Sequence, residues 1–203
     1  TLMPVFPLTL GMFDLILKNL SRHITLTPEE AERFTSYLQR RTLRKKQYLL
    51  QGGDVSRYEC FVNKGCLRTY LVDDKGQEHI VQFAIEEWWT GDMYSFINGR
   101  PSLYHIDALE DSEVFLIDRP SWEKMFVEIP KLERFYRLLL QNAFISMQRR
   151  IAENMSLSAE ERYANFQQRY PHFEQRLPLK QIASYLGITP ESLSRIRKKM
   201  VKG

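Results

Sequence analysis

Between Leu179 and Lys199 the chain reads LKQIASYLGITPESLSRIRKK, and this stretch constrains the fold more than any other. Ile182 and Leu186 stand four residues apart and share one face of a helix, with Ala183 small enough to let a second helix cross closely. Gly187 breaks that helix. Thr189 offers an oxygen to an orphan N–H at the next helix start, and Pro190 suits a first helical position, where no N–H is needed. In the second helix Leu193, Ile196 and Met200 recur at spacings of three and four and form an inward stripe. Glu191, Ser192, Arg195, Lys198 and Lys199 are left facing out. Two short helices around a glycine turn, the second ending in cations, make a helix-turn-helix whose expected partner is double-stranded DNA. Arginine grips guanine O6 and N7 bidentately, glutamate accepts from cytosine N4, and lysine suits phosphate. Thr189, Glu191, Ser192, Arg195, Lys198 and Lys199 are therefore the candidate DNA-binding residues.

The charge distribution points the same way. From Arg176 onward there are seven basic residues (Arg176, Lys180, Arg195, Arg197, Lys198, Lys199, Lys202) against Glu191 alone, a local +6 within a whole-chain value of +4. The rest of the chain is thus at −2, and the positive charge is concentrated at the helix pair.

At 203 residues the chain has room for about two domains. Its 43% hydrophobic and 27% charged residues suit a globular fold, and no apolar run approaches the ~20 residues that would span a bilayer, so no membrane partner is expected. The N-terminal TLMPVFPLTLGMF lacks the basic leader and small-residue cleavage site of a signal peptide. Cys60 and Cys66 are too few for a disulfide framework and read as free thiols of a cytoplasmic protein. A cross-hairpin bridge is the alternative, since Asn63-Lys64-Gly65 between them could turn the chain.

Thr27-Pro28-Glu29-Glu30 combines an N-cap, a first-turn proline and a capping-box glutamate, which predicts a helix to about Arg41. From Thr42 to Ile117 short runs of β-branched and aromatic residues alternate with turns at Gly52-Gly53-Asp54, Asn63-Lys64-Gly65, Asp73-Asp74-Lys75-Gly76 and Thr90-Gly91-Asp92. The clearest strands are 58–62, 66–72, 78–85 and 112–117, as in an antiparallel double sheet. Beyond Pro130 the residues Leu132, Tyr136, Leu139, Ala143, Met147 and Ile151 trace a helical stripe, widened by Leu140 and Phe144. Such a helix docks on its own sheet and, in our reading, on a second copy. The candidate dimer interface is Tyr136, Leu139, Leu140, Ala143, Phe144, Met147 and Ile151. A symmetric dimer would present two recognition helices to half-sites one helical turn apart. Ser158 with Glu161 marks a further capping box, and a helix over 159–169 ends before Tyr170-Pro171.

Short helix, roll, long helix and C-terminal helix-turn-helix, in that order, resemble the cyclic-AMP receptor protein (Crp/Fnr) family of bacterial transcription regulators over nearly the whole chain. The shared glycine pattern is Val62-Asn63-Lys64-Gly65, Gly76-Gln77-Glu78 and Gly91-Asp92, and the DNA-binding motif spans Ile182 to Lys198. The resemblance implies an α+β chain with three parts. A double-stranded β-helix (jelly-roll, cyclic-nucleotide-binding-like) sensor domain occupies 1–130, a long dimerisation helix 131–155, and a winged-helix-like helix-turn-helix domain 156–203. It also implies base contacts at Glu191 and Arg195 and contact with RNA polymerase. Pro190 stands where the family has its first base-contacting arginine, which changes the expected operator, and the family's wing is shortened.

In members that hold cyclic nucleotide, a Gly-Glu pair and an Arg-Ser pair follow the Gly-Asp turn, the arginine neutralising the phosphate. Here Ser95-Phe96 and Ser102-Leu103 occupy those places, which argues against cyclic AMP and leaves the effector unidentified. The candidate effector pocket is Gly91, Asp92, Tyr94, Ser95 and Arg100; alternatively Trp88, Trp89, Tyr94 and Phe96 fill the roll themselves. Two cysteines cannot supply four ligands to an iron–sulfur cluster, and His23, His79, His105 and His172 are too scattered to point to haem. A cupin-like metal enzyme would need clustered histidines, and His79 with Glu86-Glu87 is a poor substitute. No metal or catalytic site is expected. The remaining competitor is a ligand-binding or protein-interaction roll whose helix pair reads no bases.

Overall fold

A computed structural model describes residues 10–202, so residues 1–9 of the N-terminal apolar stretch lie outside the described residues. A 3₁₀ turn (Leu10–Met12), α1 (Asp14–Ser21) and α2 (Pro28–Ser36) precede the strands β1 (Gln39–Leu43), β2 (Tyr48–Leu50), β3 (Tyr58–Lys64), β4 (Leu67–Val72), β5 (Glu78–Ala84) and β6 (Trp89–Thr90). Then come α3 (Met93–Asn98), β7 (His105–Ala108), β8 (Ser112–Asp118) and the helices α4 (Arg119–Glu128), α5 (Lys131–Ser156), α6 (Ala159–Arg169), α7 (Phe173–Arg176), α8 (Leu179–Leu186) and α9 (Pro190–Lys202).

Two antiparallel four-stranded sheets, ordered β1-β8-β3-β6 and β2-β7-β4-β5, face one another. Alternation along the strands sorts their side chains into layers. Cys60, Val62, Val114 and Leu116 point between the sheets, where they meet Leu43, Leu50, Leu67 and Ile106. Phe61, Phe115 and Ile117 point the other way, onto a second core with Ile16, Leu20, Phe34, Met125, Leu132 and Phe135. The outer face of the other sheet carries Tyr70, Ile80 and Phe83 into a third core shared with Phe166, Phe173, Ile182, Leu186 and Leu193 of the C-terminal helices. Of the four aromatics that could fill the roll, only Trp88 packs against the core between the sheets, and it also touches the third core. Trp89 lies outside it against Phe61, Phe135 and Tyr136, Phe96 packs edge-on to Trp122, and Tyr94 is exposed.

Local chemistry accounts for the helix starts. Thr27 Oγ1 accepts from the Glu30 N–H while Glu30 accepts from the Thr27 N–H, and Ser158 and Glu161 repeat the arrangement at α6. The end of α2 corrects the sequence expectation, for the helix stops at Ser36 rather than Arg41. Residues 39–43 instead pair with β8, register Arg40 to Phe115 and Leu43 to Ser112, and Arg40 forms an ion pair with Glu113. A long-range strand partner outweighs a local helix pattern there. Asn63-Lys64-Gly65 is not a hairpin turn but the crossing from one sheet to the other, and Cys60 and Cys66 are free, buried thiols. Helix α3, absent from the sequence reading, starts on Asp92, whose side chain accepts from the Ser95 N–H, and ends at Gly99 in the left-handed conformation.

The C-terminal helices sit on the edge of the second sheet. Residue Val81 is bulged out where the register shifts between Thr69 and Tyr70, and β5 is an edge strand. Ser184 of α8 accepts from the Ile80 N–H at 3.0 Å and donates to the Glu78 carbonyl at 2.8 Å. Arg150 of α5 donates to the carbonyls of Ile80 (2.8 Å), Val81 and Tyr185 (3.0 Å), its guanidinium 4.2 Å above the Tyr185 ring. Arg176 grips Glu86 at 2.8 and 3.1 Å and also Glu110. Burial opposes ionisation of Glu86, but bonds from Arg176 and the Gly65 N–H overcome it and hold that carboxyl below its usual range.

Two outcomes follow from these contacts. At Gly65 φ is +99° and an added Cβ would lie 2.7 Å from the Ser112 Cα. Gly65→Ala should therefore cost about 2–4 kcal/mol in urea unfolding, and an unmoved midpoint would contradict the tight crossing. Arg150→Ala strips the bulged edge of its donors. It should cost about 1–3 kcal/mol in urea unfolding, whereas an unmoved midpoint would show that Arg150 does not hold the edge.

Candidate functional site

Helix α8 ends at Gly187 with φ +67°, and the Ile188 N–H folds back to the Ala183 carbonyl at 3.0 Å. Thr189 Oγ1 then accepts from the Ser192 N–H at 3.2 Å, which starts α9. Leu193 and Ile196 are buried against Ile182, Ala183 and Leu186. Met200, expected in the same stripe, is 45% exposed, because the packed neighbours end one turn earlier. Arg162 ties the pair to α6 by donating to the carbonyls of Leu186 and Leu157.

The opposite face of α9 is open. Thr189, Glu191, Arg195, Lys198 and Lys199 are exposed and Ser192 is half-buried. Arg195 reaches Ser192 Oγ at 3.3 Å, which holds the guanidinium over the first turn. Arg197 turns inward toward Glu174 at 3.9 Å, and Lys199 lies 4.0 Å from Glu160. Exposed pairs at such distances are weak and readily exchanged for phosphate. The arrangement brings a bidentate donor, a carboxylate acceptor and lysines to one exposed face of α9.

The residues expected to line an effector pocket come together only in part. Asp92 and Ser95 are buried, but their polar groups are already used: Asp92 accepts from the Ser95 N–H and from Ser102 Oγ at 2.6 Å, while Ser95 Oγ accepts from the Ser56 N–H and donates to the Arg100 carbonyl. Gly91 is packed against Glu59, and the side chains of Tyr94 and Arg100 are exposed. A cavity of about 470 Å³ opens elsewhere, at one end of the space between the sheets, lined by Arg41, Leu50, Asp54, Arg57, Tyr58 and Ile106. None of the five expected residues lines it.

Along α5 the expected stripe divides in two. Leu132, Phe135 and Tyr136 are buried on the roll, so Tyr136 belongs to the intrachain core rather than to a surface between chains. Leu139 is half-buried, while Leu140, Ala143, Phe144, Met147 and Ile151 are exposed. Leu140, Phe144, Met147 and Ile151 follow spacings of four, three and four, a coiled-coil seam. Beside it an apolar groove of about 560 Å³ runs between α4 and α5, lined by Trp122, Phe126, Tyr136, Leu140 and Phe144.

His79 pairs with Asp73 at 2.8 Å, and Glu86 and Glu87 pair with Arg176 and Arg22. Among the described residues no three His, Cys, Asp or Glu side chains stand together as a metal site, and no helix is long and apolar enough to cross a membrane. Sequence reasoning missed Arg150, Ser184 and Arg176 as the residues that seat the helical head. Their signal is weak, since each is an ordinary polar residue of an amphipathic helix until the strand opposite is known.

Residues 40–128 match the family described as cyclic nucleotide-binding domain. Over longer stretches the chain is 26% identical to an anaerobic regulatory protein of Pasteurella multocida (93% of this chain, 73% of that protein) and 28% identical to the regulatory protein HlyX of Actinobacillus pleuropneumoniae (85% and 76%). Among solved structures, a CooA mutant from Carboxydothermus hydrogenoformans superposes with a TM-score of 0.71 at 17% identity (92% of this chain, 84% of that one). The catabolite activator protein of Thermus thermophilus gives 0.54 at 22% (91% and 87%). These superpositions establish the shared fold. With roll, long helix and helix-turn-helix head in the same order, and with regulators among its relatives along most of its length, the chain is similar to the cyclic-AMP receptor protein (Crp/Fnr) family of bacterial transcription regulators, and its residues 40–128 form a cyclic nucleotide-binding-type domain.

Proposed function

We propose that the chain is a homodimeric, sequence-specific DNA-binding regulator of transcription that reads the major groove with the outer face of α9. The observation that carries this reading is the sidedness of α9: Leu193 and Ile196 are buried, while Glu191, Arg195, Lys198 and Lys199 are exposed. Thr189 and Ser192 at its first turn complete the contact set. In this reading residues 1–130 form the sensor roll, 131–155 the dimerisation helix and 156–203 the reading head, and the protein works in the cytoplasm with RNA polymerase as a further partner. The dimer forms along Leu139, Leu140, Ala143, Phe144, Met147 and Ile151, with the neighbouring groove taking the partner's apolar side chains. Two heads then meet half-sites about 34 Å apart. An effector in the roll acts by favouring one arrangement of α5, since a ligand that bound both arrangements equally would shift nothing.

Base reading separates this from a roll whose helix pair has lost its operator. On a selected operator, Arg195→Ala should cost about 1–3 kcal/mol and relax preference at one position, while Lys198→Ala should weaken all sequences alike and flatten the salt slope by about one unit. Equal operator binding by Arg195→Ala and the unaltered chain would sink base reading by this residue. Met147→Glu buries two like charges at the seam and should weaken the dimer at least about a hundredfold in analytical ultracentrifugation. An unchanged mass distribution would remove the seam from the interface.

A further inference from the structure

β3 carries an acid on its helix-facing side. Glu59 alternates with Phe61 onto the face covered by the helices, is only 5% exposed, and its Oε1 makes no hydrogen bond among the described residues. A Cβ on Gly91 would lie 2.9 Å from that oxygen, so the chain passes the carboxyl with no side chain between. Beside it, Tyr136 of α5 and Trp122 of α4 are packed edge-on, ring centroids 6.0 Å apart, and the Tyr136 hydroxyl and the Trp122 indole N–H have only each other as neighbouring polar groups, without the geometry of a full hydrogen bond. Three of the five unpartnered buried side-chain atoms among the described residues thus belong to β3, α4 and α5 where these elements meet. Native cores seldom tolerate such groups without a purpose.

The charged and titratable groups around Glu59 do not neutralise it. Asp92, in the turn before α3, is buried, its carboxylate held by Ser95 and Ser102. Cys60 points to the other side of β3 into the roll, where burial, then the charge of Glu59, raise its thiol against a weaker pull from Arg41. Tyr136 is raised by burial and then by Glu59. No basic group acts on Glu59 itself. Burial first, and the negative charge of Asp92 second, push its carboxyl up to about 8.

We propose that Glu59 is a proton-operated switch for the docking of the long helix. With the proton on, a neutral carboxyl lies under Tyr136 and the first turns of α5 rest on β3. Loss of the proton leaves an uncompensated anion that draws in water and loosens those turns. The seam from Leu140 to Ile151 begins one residue turn beyond Tyr136, so loosening changes how the two long helices meet. The consequence for operator affinity rests on the regulator reading above; the switch itself does not.

The sign of the effect on stability is fixed by linkage. Glu59 binds its proton more tightly in the folded chain (about 8) than in the unfolded chain (4.5), so the folded state loses stability as pH rises between these values and no more above them. Four measurements on the full chain test the switch, with Glu59→Gln as the uncharged reference and Tyr136→Phe as a second variant that keeps the ring. In infrared spectra the wild type should show a protonated carboxyl band at pH 7 that disappears near pH 8 and is missing from Glu59→Gln. In Tyr136→Phe the band's midpoint should rise by roughly half a unit, as the surroundings become more apolar. In thermal unfolding, Glu59→Gln should gain on the wild type as pH rises toward 8 and hold a constant lead above it. Sedimentation and operator binding should weaken by up to about tenfold per pH unit above 8 in the wild type and stay flat in Glu59→Gln. Identical pH profiles for the two proteins, or a Glu59 already ionised at pH 7, would overturn the switch. Absence of operator binding at every pH would instead count against the regulator reading, while the infrared and unfolding results still judge the switch.

Discussion

An edge strand with a bulge in it is the constraint from which the rest of this molecule follows. β5 presents unpaired backbone groups along one side, and an open edge invites pairing with another chain. Here the groups are taken by side chains rather than by a strand: Ser184 meets Ile80 and Glu78, and Arg150 meets Ile80 and Val81. Ser184 belongs to the first helix of the helix-turn-helix and Arg150 to the long helix. Satisfying one strand edge therefore fixes roll, long helix and head relative to one another.

The polar contacts do not supply most of that attachment. Arg176, Glu86 and Glu110 are each about a third exposed, so their ion pairs are screened and worth about 1 kcal/mol or less apiece. The larger contribution is apolar, from Phe83, Phe166, Phe173, Tyr185 and their neighbours, whose rings meet at 5.5 to 6.1 Å. Apolar burial is non-directional, whereas Ser184 and Arg150 bond to particular carbonyls and N–H groups. The first sets how firmly the head sits, and the second sets where.

What could be read in the sequence is what short-range chemistry determines. Gly187, Thr189 and Pro190 act within a few residues of themselves, and the capping boxes at Thr27 and Ser158 do the same, so the helix-turn-helix and the starts of α2 and α6 were legible. The end of α2 was not, because residues 39–43 are decided by β8, some seventy positions away. The crossing at Gly65 reads like a hairpin turn until the sheet membership of β3 and β4 is known. Tyr136 fitted the apolar stripe by spacing alone; its burial depends on Trp89 of β6 and on Trp122 and Phe126 of α4 coming from two other segments. At the head the outward residues followed from helical periodicity, but Met200 did not, since a stripe says which way a side chain points and not where its neighbours stop. The pocket expected around Gly91 to Arg100 failed for a related reason. Asp92 and Ser95 are polar enough to hold a ligand, and the fold spends them on capping α3 and tying its loop.

The long helix is held at two places, Leu132 to Tyr136 on the first sheet's outer face and Arg150 at the edge of the second, fourteen residues or about 21 Å of helix apart. Between these anchors Leu140, Phe144 and Met147 are about half exposed among the described residues. In the proposed dimer the exposed central face of this rod takes a partner helix, and a small displacement at either anchor tilts that face. Knobs-into-holes packing accepts only a few registers, so tilt is converted into a choice between discrete pairings rather than a gradual slide. The unpartnered acid lies under one anchor and the reading head is bolted to the other. A change of charge or of occupancy in the roll can therefore reach α9 by way of the seam without any change in the head itself.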